Sequence, residues 1–364
     1  MVLDPKFILK VALALLFAAG LSCALTPLVK LMAKKIGAID VPKDNRRMHK
    51  RPIPRLGGLA IFAGFLVSFL IFGEINRELR GILLGSVIIV VMGVLDDAIT
   101  LPAIPKFFVQ ILAAVLVVVH GCRIEHFMGI ALPDWLSYVV TVIWIVAITN
   151  AINFIDGLDG LAAGVSAISA GTMLVVALML VPDPTAVSSA LLLAALVGGC
   201  IGFIPYNFNP ASIFMGDTGS NMLGFVLASV SVFGLFKTYA VISFAVPFLV
   251  LGLPIFDLCF AVIRRVSKGQ SPMHADRGHV HHRLIDMGFS QKQAVAISYM
   301  LSALLGLSAV VLTDRGEIQA LIFLGAVVVV GAIGLALIFG SKHKKPEQAL
   351  PAETETEETP HEEN

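Results

Sequence analysis

The chain has 364 residues, of which 57% are hydrophobic and only 14% are charged, with a mean hydropathy of +0.90. Soluble domains carry about 25% charged residues, so this composition excludes an ordinary soluble enzyme and predicts a membrane protein. The net charge of +1 favours no polyanionic partner, and we expect no nucleic acid to bind. The four cysteines are far apart and form no CxxC pair, so we expect no disulfide and no thiolate metal site.

Apolar runs predict about eleven transmembrane helices and therefore an all-α polytopic membrane fold. Their ranges are 7–29, 57–73, 81–96, 105–120, 136–153, 161–181, 186–205, 218–236, 239–263, 294–312 and 318–340. The first run could be read as a secretory signal, but it is longer than a signal core and we favour a span. Residues 1–340 are predicted to form a single membrane-embedded domain. The acidic composition of residues 341–364 predicts a disordered cytoplasmic tail.

Basic residues are distributed unequally over the two sets of loops. Nineteen of the 26 Lys and Arg residues lie in or beside the loops 30–56, 97–104 and 264–293 and in the tail, and seven lie on the opposite side. Because cytoplasmic loops are enriched in Lys and Arg, the first set is predicted to be cytoplasmic. The N-terminus is then outside and the C-terminus inside, in the plasma or inner membrane of a cell.

Acidic residues end the third predicted span, at Asp96 and Asp97. Two carboxylates at a helix C-terminus oppose the helix dipole unless a cation lies nearby. Mg²⁺ is commonly held by one or two carboxylates plus substrate phosphates, so the pair indicates metal or proton chemistry. Lys106 and Gln110 share a face of the next helix and could face the aspartates, where Lys106 would grip a phosphate. Alternatively, Lys106 extends to lipid headgroups.

The fifth predicted span ends in a row of polar residues at a spacing of three. Asn150, Asn153 and Asp156 would lie along one stripe of a helix, and Asp159 follows them. Gly157 and Gly160 loosen the backbone where a ligand could approach closely. Polar groups at a membrane edge indicate a binding site, although an interhelical hydrogen-bond seam is an alternative.

A polar loop from Asn207 to Ser220 leads into the eighth predicted span. Phe214 is either an interfacial aromatic residue or a stacking surface for a base. Asp217 is either a helix N-cap or a fifth carboxylate in a cluster with Asp96, Asp97, Asp156 and Asp159. Such a cluster needs cations, and one Mg²⁺ ion with a diphosphate substrate would satisfy it.

The segment from His274 to Arg283 contains four histidines and two arginines. Its spacing matches no common zinc pattern, and no cysteine assists, so zinc is the less favoured alternative. Histidine and arginine donors suit phosphate and sugar oxygens. The sequence contains no P-loop and no GxGxxG, so a nucleotide would be bound without either device.

Six motifs occur in a fixed order along the chain. They are DxP at Asp40–Pro42, PxPRxGG at Pro52–Gly58, DDxxxLxxxxKFxxQ at Asp96–Gln110, NxxNxxDGxDGLA at Asn150–Ala162, FNPxxxFMGDxGS at Phe208–Ser220 and HADRxHxHHRL at His274–Leu284. Over residues 20–340 the chain resembles the polyprenyl-phosphate N-acetylhexosamine-1-phosphate transferases. The last motif is similar to the branch that uses UDP-N-acetylglucosamine (UDP-GlcNAc), whereas the muramoyl-pentapeptide branch differs there.

The resemblance implies a role for each motif residue. Mg²⁺, with Mn²⁺ as a substitute, would contact Asp217 and Asn153. Asp159 and Phe214 would hold the uracil of the donor. The remaining substrate-binding residues would be Asn150, Asp156, Asn207, Arg277 and Arg283. The catalytic residues would be Asp96, Asp97 and Lys106 near the lipid phosphate, and His279, His281 and His282 near the diphosphate and the N-acetyl sugar.

The resemblance also implies the substrates, UDP-N-acetylhexosamine and a polyprenyl phosphate. The product would initiate a cell-wall, teichoic-acid or O-antigen glycan. We favour Asp96 and Asp97 as organisers of metal or lysine, with proton acceptance by one of them as an alternative. The rival enzyme is the phospho-muramoyl-pentapeptide transferase. The rival from another class is a secondary transporter, although transporter sites lie near the membrane midplane. The sequence leaves the oligomeric state open, a homodimer included.

Overall fold

The structure is a computed structural model that describes residues 4–42, 51–127, 130–235, 242–270 and 278–315, with 325, 326, 329 and 333. Within these ranges it has twelve α-helices, a π-helical turn and two short β-ribbons. Six of the described helices are long and apolar enough to cross a membrane. The chain is an all-α polytopic membrane protein.

The helices follow the predicted spans closely over most of the chain. They are α1 (Pro5–Ile36), α2 (Gly58–Phe72), α3 (Arg77–Ile99), α4 (Ala103–Val119), α5 (Asp134–Ile155), α6 (Leu161–Leu180), α7 (Pro184–Asn207), α8 (Gly216–Val230), α9 (Ile242–Val250), α10 (Gly252–Ser267), α11 (Val280–Asp286) and α12 (Gln291–Arg315). The π-helical turn is Ser231–Leu235. Antiparallel ribbons pair β1 (Ile39–Asp40) with β2 (Ile53–Pro54) and β3 (His126–Phe127) with β4 (Ile130–Ala131). The eleventh predicted span and the acidic tail lie outside the continuous described ranges.

The ninth predicted span, 239–263, is wrong as a single helix. It is divided at Leu251 into α9 and α10. Pro254 has no N–H to donate to the carbonyl of Val250, so the hydrogen-bond ladder is interrupted there. In α10, Asp257 and Arg265 are buried together with Leu253 and Ala261, so two charged side chains lie on the buried side of this helix.

Helix α8 occupies the centre of the bundle, and every residue from Thr218 to Val230 is buried. Glycines on its neighbours allow close approach: a Cβ on Gly93 of α3 would lie 2.4 Å from the Cα of Thr218, and a Cβ on Gly58 of α2 would lie 2.1 Å from that of Gly219. Small residues commonly permit such backbone contacts between membrane helices. The packing therefore brings the start of α8 against the end of α3 and the start of α2.

Candidate active site

Lys106 joins two carboxylates that are far apart in sequence. Its Nζ lies 2.8 Å from Oδ2 of Asp96 and 2.9 Å from Oδ2 of Asp217, so it links α3, α4 and α8. The short connection after α3 allows this, since the N–H of Leu101 also donates to Oδ1 of Asp96 at 2.6 Å. The expectation that Lys106 faces the aspartate pair is confirmed for Asp96. Asp96 is buried, whereas Lys106 and Asp217 are 25% and 30% exposed and open to a ligand.

Asp97 holds the N-terminus of α8. Its Oδ1 accepts from the N–H of Asp217 at 3.0 Å, and its Oδ2 accepts from the N–H and the hydroxyl of Thr218 at 3.0 and 2.6 Å. A carboxylate is favourable there because the first N–H groups of a helix lack internal partners and carry the positive end of its dipole. Gly216 has a φ of +73°, and a Cβ on it would lie 2.4 Å from Oδ2 of Asp97. Asp97 thereby sets the position of Asp217.

Asp217 is the second residue of α8, which begins at Gly216 after the N-cap residue Met215. The N-cap alternative for Asp217 is therefore wrong. Its Oδ1 accepts from Nδ2 of Asn153 at 3.0 Å, and the same amide donates to Oγ of Ser220 at 2.8 Å. The structure thus places the two residues predicted to contact the metal side by side.

Asn150 lies one turn deeper and takes part in an interhelical hydrogen-bond seam, the alternative considered for this motif. Its Nδ2 donates to Oε1 of Gln110 at 2.7 Å, and Nε2 of Gln110 donates to Oδ1 of Asn221 at 2.9 Å. The seam joins α5, α4 and α8 directly behind Asp217, since Nδ2 of Asn221 donates to the carbonyl of Asp217. Substrate binding by Asn150 stays a prediction.

The loop between α7 and α8 is bound to the turn that follows α5. Oδ2 of Asp159 accepts from Nδ2 of Asn209 at 2.9 Å and from the N–H of Ala211 at 3.0 Å. The buried Asn207 accepts from the N–H of Gly160 and donates to the carbonyl of Ile213. These contacts hold Asp159 and the loop carrying Phe214 together, as a pocket for a base would require.

The half-buried Phe214 is tied to the start of α2 through its backbone. Its N–H donates to the carbonyl of Pro54 at 2.8 Å, and its carbonyl accepts from the N–H of Gly57 at 2.9 Å. Arg55, between these two residues, donates from Nε to the carbonyl of Asp97 at 3.2 Å. The PxPRxGG motif therefore supports both the Phe214 loop and the end of α3. Arg55 was missed as a site residue, although a basic residue within a Pro- and Gly-rich motif is a usable signal.

Asp156 ends α5 among other carboxylates. Burial, reinforced by the neighbouring charges of Asp217, Asp97 and Asp159, raises the pKa of Asp156 to about 8. Nearby like charges disfavour an ionised carboxylate, and a cation would relieve them. This part of the site therefore has a local excess of acidic groups.

The oxygen-rich donor set fits Mg²⁺ better than a softer metal. Within the described ranges, no three His, Cys, Asp or Glu side chains are grouped as ligands of one ion. Mg²⁺ does not need such a cage, because it keeps several waters and binds through one or two carboxylates plus substrate phosphates. Asp217, beside Asn153 and open to solvent, suits that mode of binding.

The histidine segment contacts the end of α5 and the turn that follows it. A Cβ on Gly157 would lie only 2.2 Å from Nε2 of His281, so the glycine permits the imidazole to approach the turn after Asp156. Burial, with a further contribution from His282, lowers the pKa of His281 to about 3, and this imidazole is therefore neutral. His279 and His281 lie with their rings nearly parallel at 5.7 Å.

Of the two arginines in this segment, Arg283 lies within the described residues and Arg277 does not. Arg283, on the short helix α11, donates from Nε to the carbonyl of Gly278 at 3.1 Å. Arg277 lies outside the described residues, as do His274 and Asp276. The segment was predicted as a loop, whereas residues from Val280 onward form a helix.

Asp257 anchors α11 and was missed by the sequence analysis. Its Oδ1 accepts from the N–H of Val280 at 2.8 Å, and its Oδ2 lies 2.7 Å from Nδ1 of His279. The signal was available, because a carboxylate inside an apolar predicted span is costly and usually functional.

Residues 79–235 match the model of glycosyl transferase family 4. The chain is 39% identical over 316 residues to the probable undecaprenyl-phosphate N-acetylglucosaminyl 1-phosphate transferase of Bacillus subtilis, which covers 85% of this chain and 87% of that relative. It is 33% identical over 367 aligned positions to the decaprenyl-phosphate N-acetylglucosaminephosphotransferase of Mycobacterium tuberculosis, with coverages of 90% and 88%. The undecaprenyl-phosphate alpha-N-acetylglucosaminyl 1-phosphate transferase of Escherichia coli K12 is 27% identical over 284 residues, with coverages of 75% and 76%.

The chain belongs to the polyprenyl-phosphate N-acetylhexosamine-1-phosphate transferases of glycosyl transferase family 4. The resemblance drawn from the motifs is thereby confirmed. The family 4 match begins in α3 and ends in the π-helical turn after α8. It therefore contains the loop carrying Phe214 and the group formed by Asp96, Lys106 and Asp217, called the lysine–aspartate cluster below. The histidine segment lies beyond that match, in a part of the chain that alignment with the relatives reaches.

Proposed function

We propose that the protein transfers N-acetylglucosamine 1-phosphate from UDP-GlcNAc to a polyprenyl phosphate, releasing UMP. The observation that carries the proposal is the Asp96–Lys106–Asp217 bridge, in a chain whose relatives are named for this transfer. The partly exposed ammonium of Lys106 and carboxylate of Asp217 lie 2.9 Å apart, as expected for a site that binds two phosphates and a divalent cation.

UDP-GlcNAc is favoured over UDP-muramoyl-pentapeptide by the names of the relatives, each of which refers to N-acetylglucosamine. The HADRxHxHH form of the histidine segment supports the same choice. In the described part of that segment, His279 and His281 are buried and held against α5 and α10. A small N-acetyl sugar suits such a packed wall better than a pentapeptide.

In the proposed reaction a phosphate oxygen of the lipid attacks the β-phosphorus of UDP-GlcNAc. A new P–O bond forms, the bond between the β-phosphorus and the bridging oxygen breaks, and UMP leaves with that oxygen. A phosphomonoester has a second pKa of about 6, so the attacking group is already largely dianionic at neutral pH and needs no strong base. Alignment and charge neutralisation are then the main requirements.

The residues of the site suit these requirements. Lys106 would bind the lipid phosphate, while Asp96 would hold the lysine in place. Asp217 and Asn153 would hold Mg²⁺, which when bound neutralises the charge of the diphosphate. Both oxygens of Asp97 accept hydrogen bonds from α8, which supports an organising role for Asp97 over proton acceptance.

We further propose that the site faces the cytoplasm, with the N-terminus outside and eleven spans in the plasma or inner membrane. The distribution of 19 basic residues on one side and seven on the other supports this orientation. The described polar motifs gather at that same end of the bundle, where a cytoplasmic nucleotide sugar would reach them.

The donor assay is the direct test. Purified protein in detergent, with undecaprenyl phosphate and Mg²⁺, should release UMP from UDP-GlcNAc and not from UDP-muramoyl-pentapeptide. The reverse preference would overturn the proposed donor, and release from neither would overturn the proposed reaction.

Asp217→Asn tests the metal assignment. It should lower turnover by more than roughly 100-fold, the scale for losing one electrostatic contact to a transition state, while the protein still folds in detergent. Asp134→Asn, at an exposed aspartate at the end of α5 opposite to Asn153, is the control. Near-normal turnover of Asp217→Asn at ordinary Mg²⁺ would contradict the assignment.

A further inference from the structure

Asp257 is a buried carboxylate that contacts the histidine segment and no part of the lysine–aspartate cluster. It lies on α10 with 2% of its surface exposed. One oxygen lies 2.7 Å from Nδ1 of His279, and the other accepts from the N–H of Val280 at 2.8 Å. A single side chain therefore fixes both an imidazole and the first residue of α11.

This arrangement determines how the imidazole is oriented. An ionised carboxylate without a compensating donor or charge is costly to bury. Asp257 obtains its donors from the ring and from the helix start, and the Nδ1–H of His279 is thereby directed at the carboxylate. Carboxylates that hold histidines in this way fix the tautomer and the ring orientation, and they compensate the charge of an imidazolium.

The same contact places α11 against the candidate site. His279 is the N-cap residue of α11, but its side chain caps no N–H of the helix, and Asp257 supplies that acceptor instead. The ring of His279 packs on Phe154 of α5 at 5.6 Å, next in sequence to Asn153. Two residues further along the chain, His281 reaches Gly157. Asp257 is thus connected to the site through two histidine rings.

We infer that Asp257 is a positioning residue for the proposed transfer, acting through His279. By accepting from Nδ1 it holds the imidazole in the one orientation that the proposed contact with the diphosphate needs. The inference rests on the proposed function, in which the histidine segment binds the diphosphate of UDP-GlcNAc.

Asp257→Asn separates positioning from folding. The amide oxygen of the variant can still accept from the N–H of Val280, so α11 keeps its cap. The amide NH₂ must then face Nδ1 of His279, which reverses the tautomer and removes the compensating charge. Turnover with UDP-GlcNAc should fall roughly 10- to 100-fold, the scale measured when carboxylates that orient ligating histidines are replaced. The KM for polyprenyl phosphate should change by less than about twofold. Asp286→Asn, at an exposed aspartate ending the same helix, is the matched control and should match wild type.

A double-mutant cycle excludes a purely structural role. If Asp257 acts through His279, Asp257→Asn should cause no further loss of turnover in a His279→Gln background. If the losses multiply, Asp257 supports the fold without acting through the imidazole, and the inference is overturned. Wild-type turnover of the single Asp257→Asn variant would overturn it as well.

Long-range ¹H–¹⁵N spectra of histidine-labelled protein give a readout that does not depend on activity. The His279 signals, identified by their loss in His279→Gln, should show a protonated Nδ1 in wild type and an unprotonated Nδ1 in Asp257→Asn. Unchanged signals in Asp257→Asn would overturn the positioning itself. If wild type releases no UMP from any UDP-N-acetylhexosamine, the proposed function fails, and these spectra still decide whether Asp257 holds His279.

Discussion

Replacing Asp97 with asparagine tests whether the end of α3 positions Asp217. The carboxylate accepts three hydrogen bonds from the start of α8. An asparagine can offer its oxygen either to Asp217 or to Thr218, but its NH₂ must then face an N–H on the other side. At least one hydrogen bond to a charged acceptor is lost, which is worth about 1.5–3 kcal/mol.

That energy can be converted into an expected rate. If it holds the start of α8 in the reactive position, its loss lowers turnover by roughly 10- to 150-fold, since each 1.4 kcal/mol is about tenfold. UMP binding, measured by calorimetry, should be largely retained, because Asp159, which is predicted to bind the uracil, is held by contacts that do not involve Asp97. Turnover is measured as UMP release under saturating UDP-GlcNAc and undecaprenyl phosphate.

Asp183→Asn is the matched control for this prediction. Asp183 also accepts N–H groups at a helix start, those of Thr185 and Ala186 in α7, but it is exposed and lies at the other end of the bundle. Asparagine caps helices about as well as aspartate at exposed sites, so this variant should behave as wild type. Normal turnover of Asp97→Asn, or loss of UMP binding with turnover retained, would refute the role given to Asp97.

Three further predictions concern the pocket, the histidine contact and sidedness. Phe214→Ala should raise the KM for UDP-GlcNAc roughly 5- to 150-fold, the equivalent of the ~1–3 kcal/mol of a stacked base, with little change in the KM for the lipid. Gly157→Ala should lower turnover roughly 10- to 100-fold, because its Cβ would displace His281. A cysteine replacing the exposed Gln270, in a Cys259→Ser background, should resist a membrane-impermeant thiol reagent in intact cells and react after lysis.

Each of these predictions has a control and a contrary outcome. An unchanged KM for UDP-GlcNAc in the Phe214 variant would place the base elsewhere. Gly171→Ala, where an added Cβ meets no atom within 4 Å, should leave turnover unchanged, and an equal loss in both glycine variants would indicate a general folding defect. Asp134→Cys, predicted to be outside, should react in intact cells. Rapid labelling of the Gln270 variant in intact cells would reverse the orientation.

Local features of the sequence determined that the protein spans a membrane, and they indicated the chemistry of its site. Apolar runs longer than a membrane is thick allow few arrangements other than transmembrane helices. The helical spacing of Lys106 and Gln110 placed them on one face, and both make the inward contacts that this spacing implies. The ordered motifs identified the family, because so many polar residues at fixed intervals are not required by membrane packing alone.

Tertiary packing decided which of these residues touch. Asp97 binds the start of α8 across 120 residues of sequence, and no local pattern encodes a partner at that distance. Asp257 was read as part of an apolar span because a hydropathy window averages over one carboxylate. Its partner His279 lies 22 residues away, in a segment with no helical period long enough to detect. Gly157 suggested only a loosened backbone until His281 was seen against it. Each of these contacts forms only when the helices pack against one another. That packing is stabilised by many side chains that lie far apart in the sequence, so no local pattern reveals it.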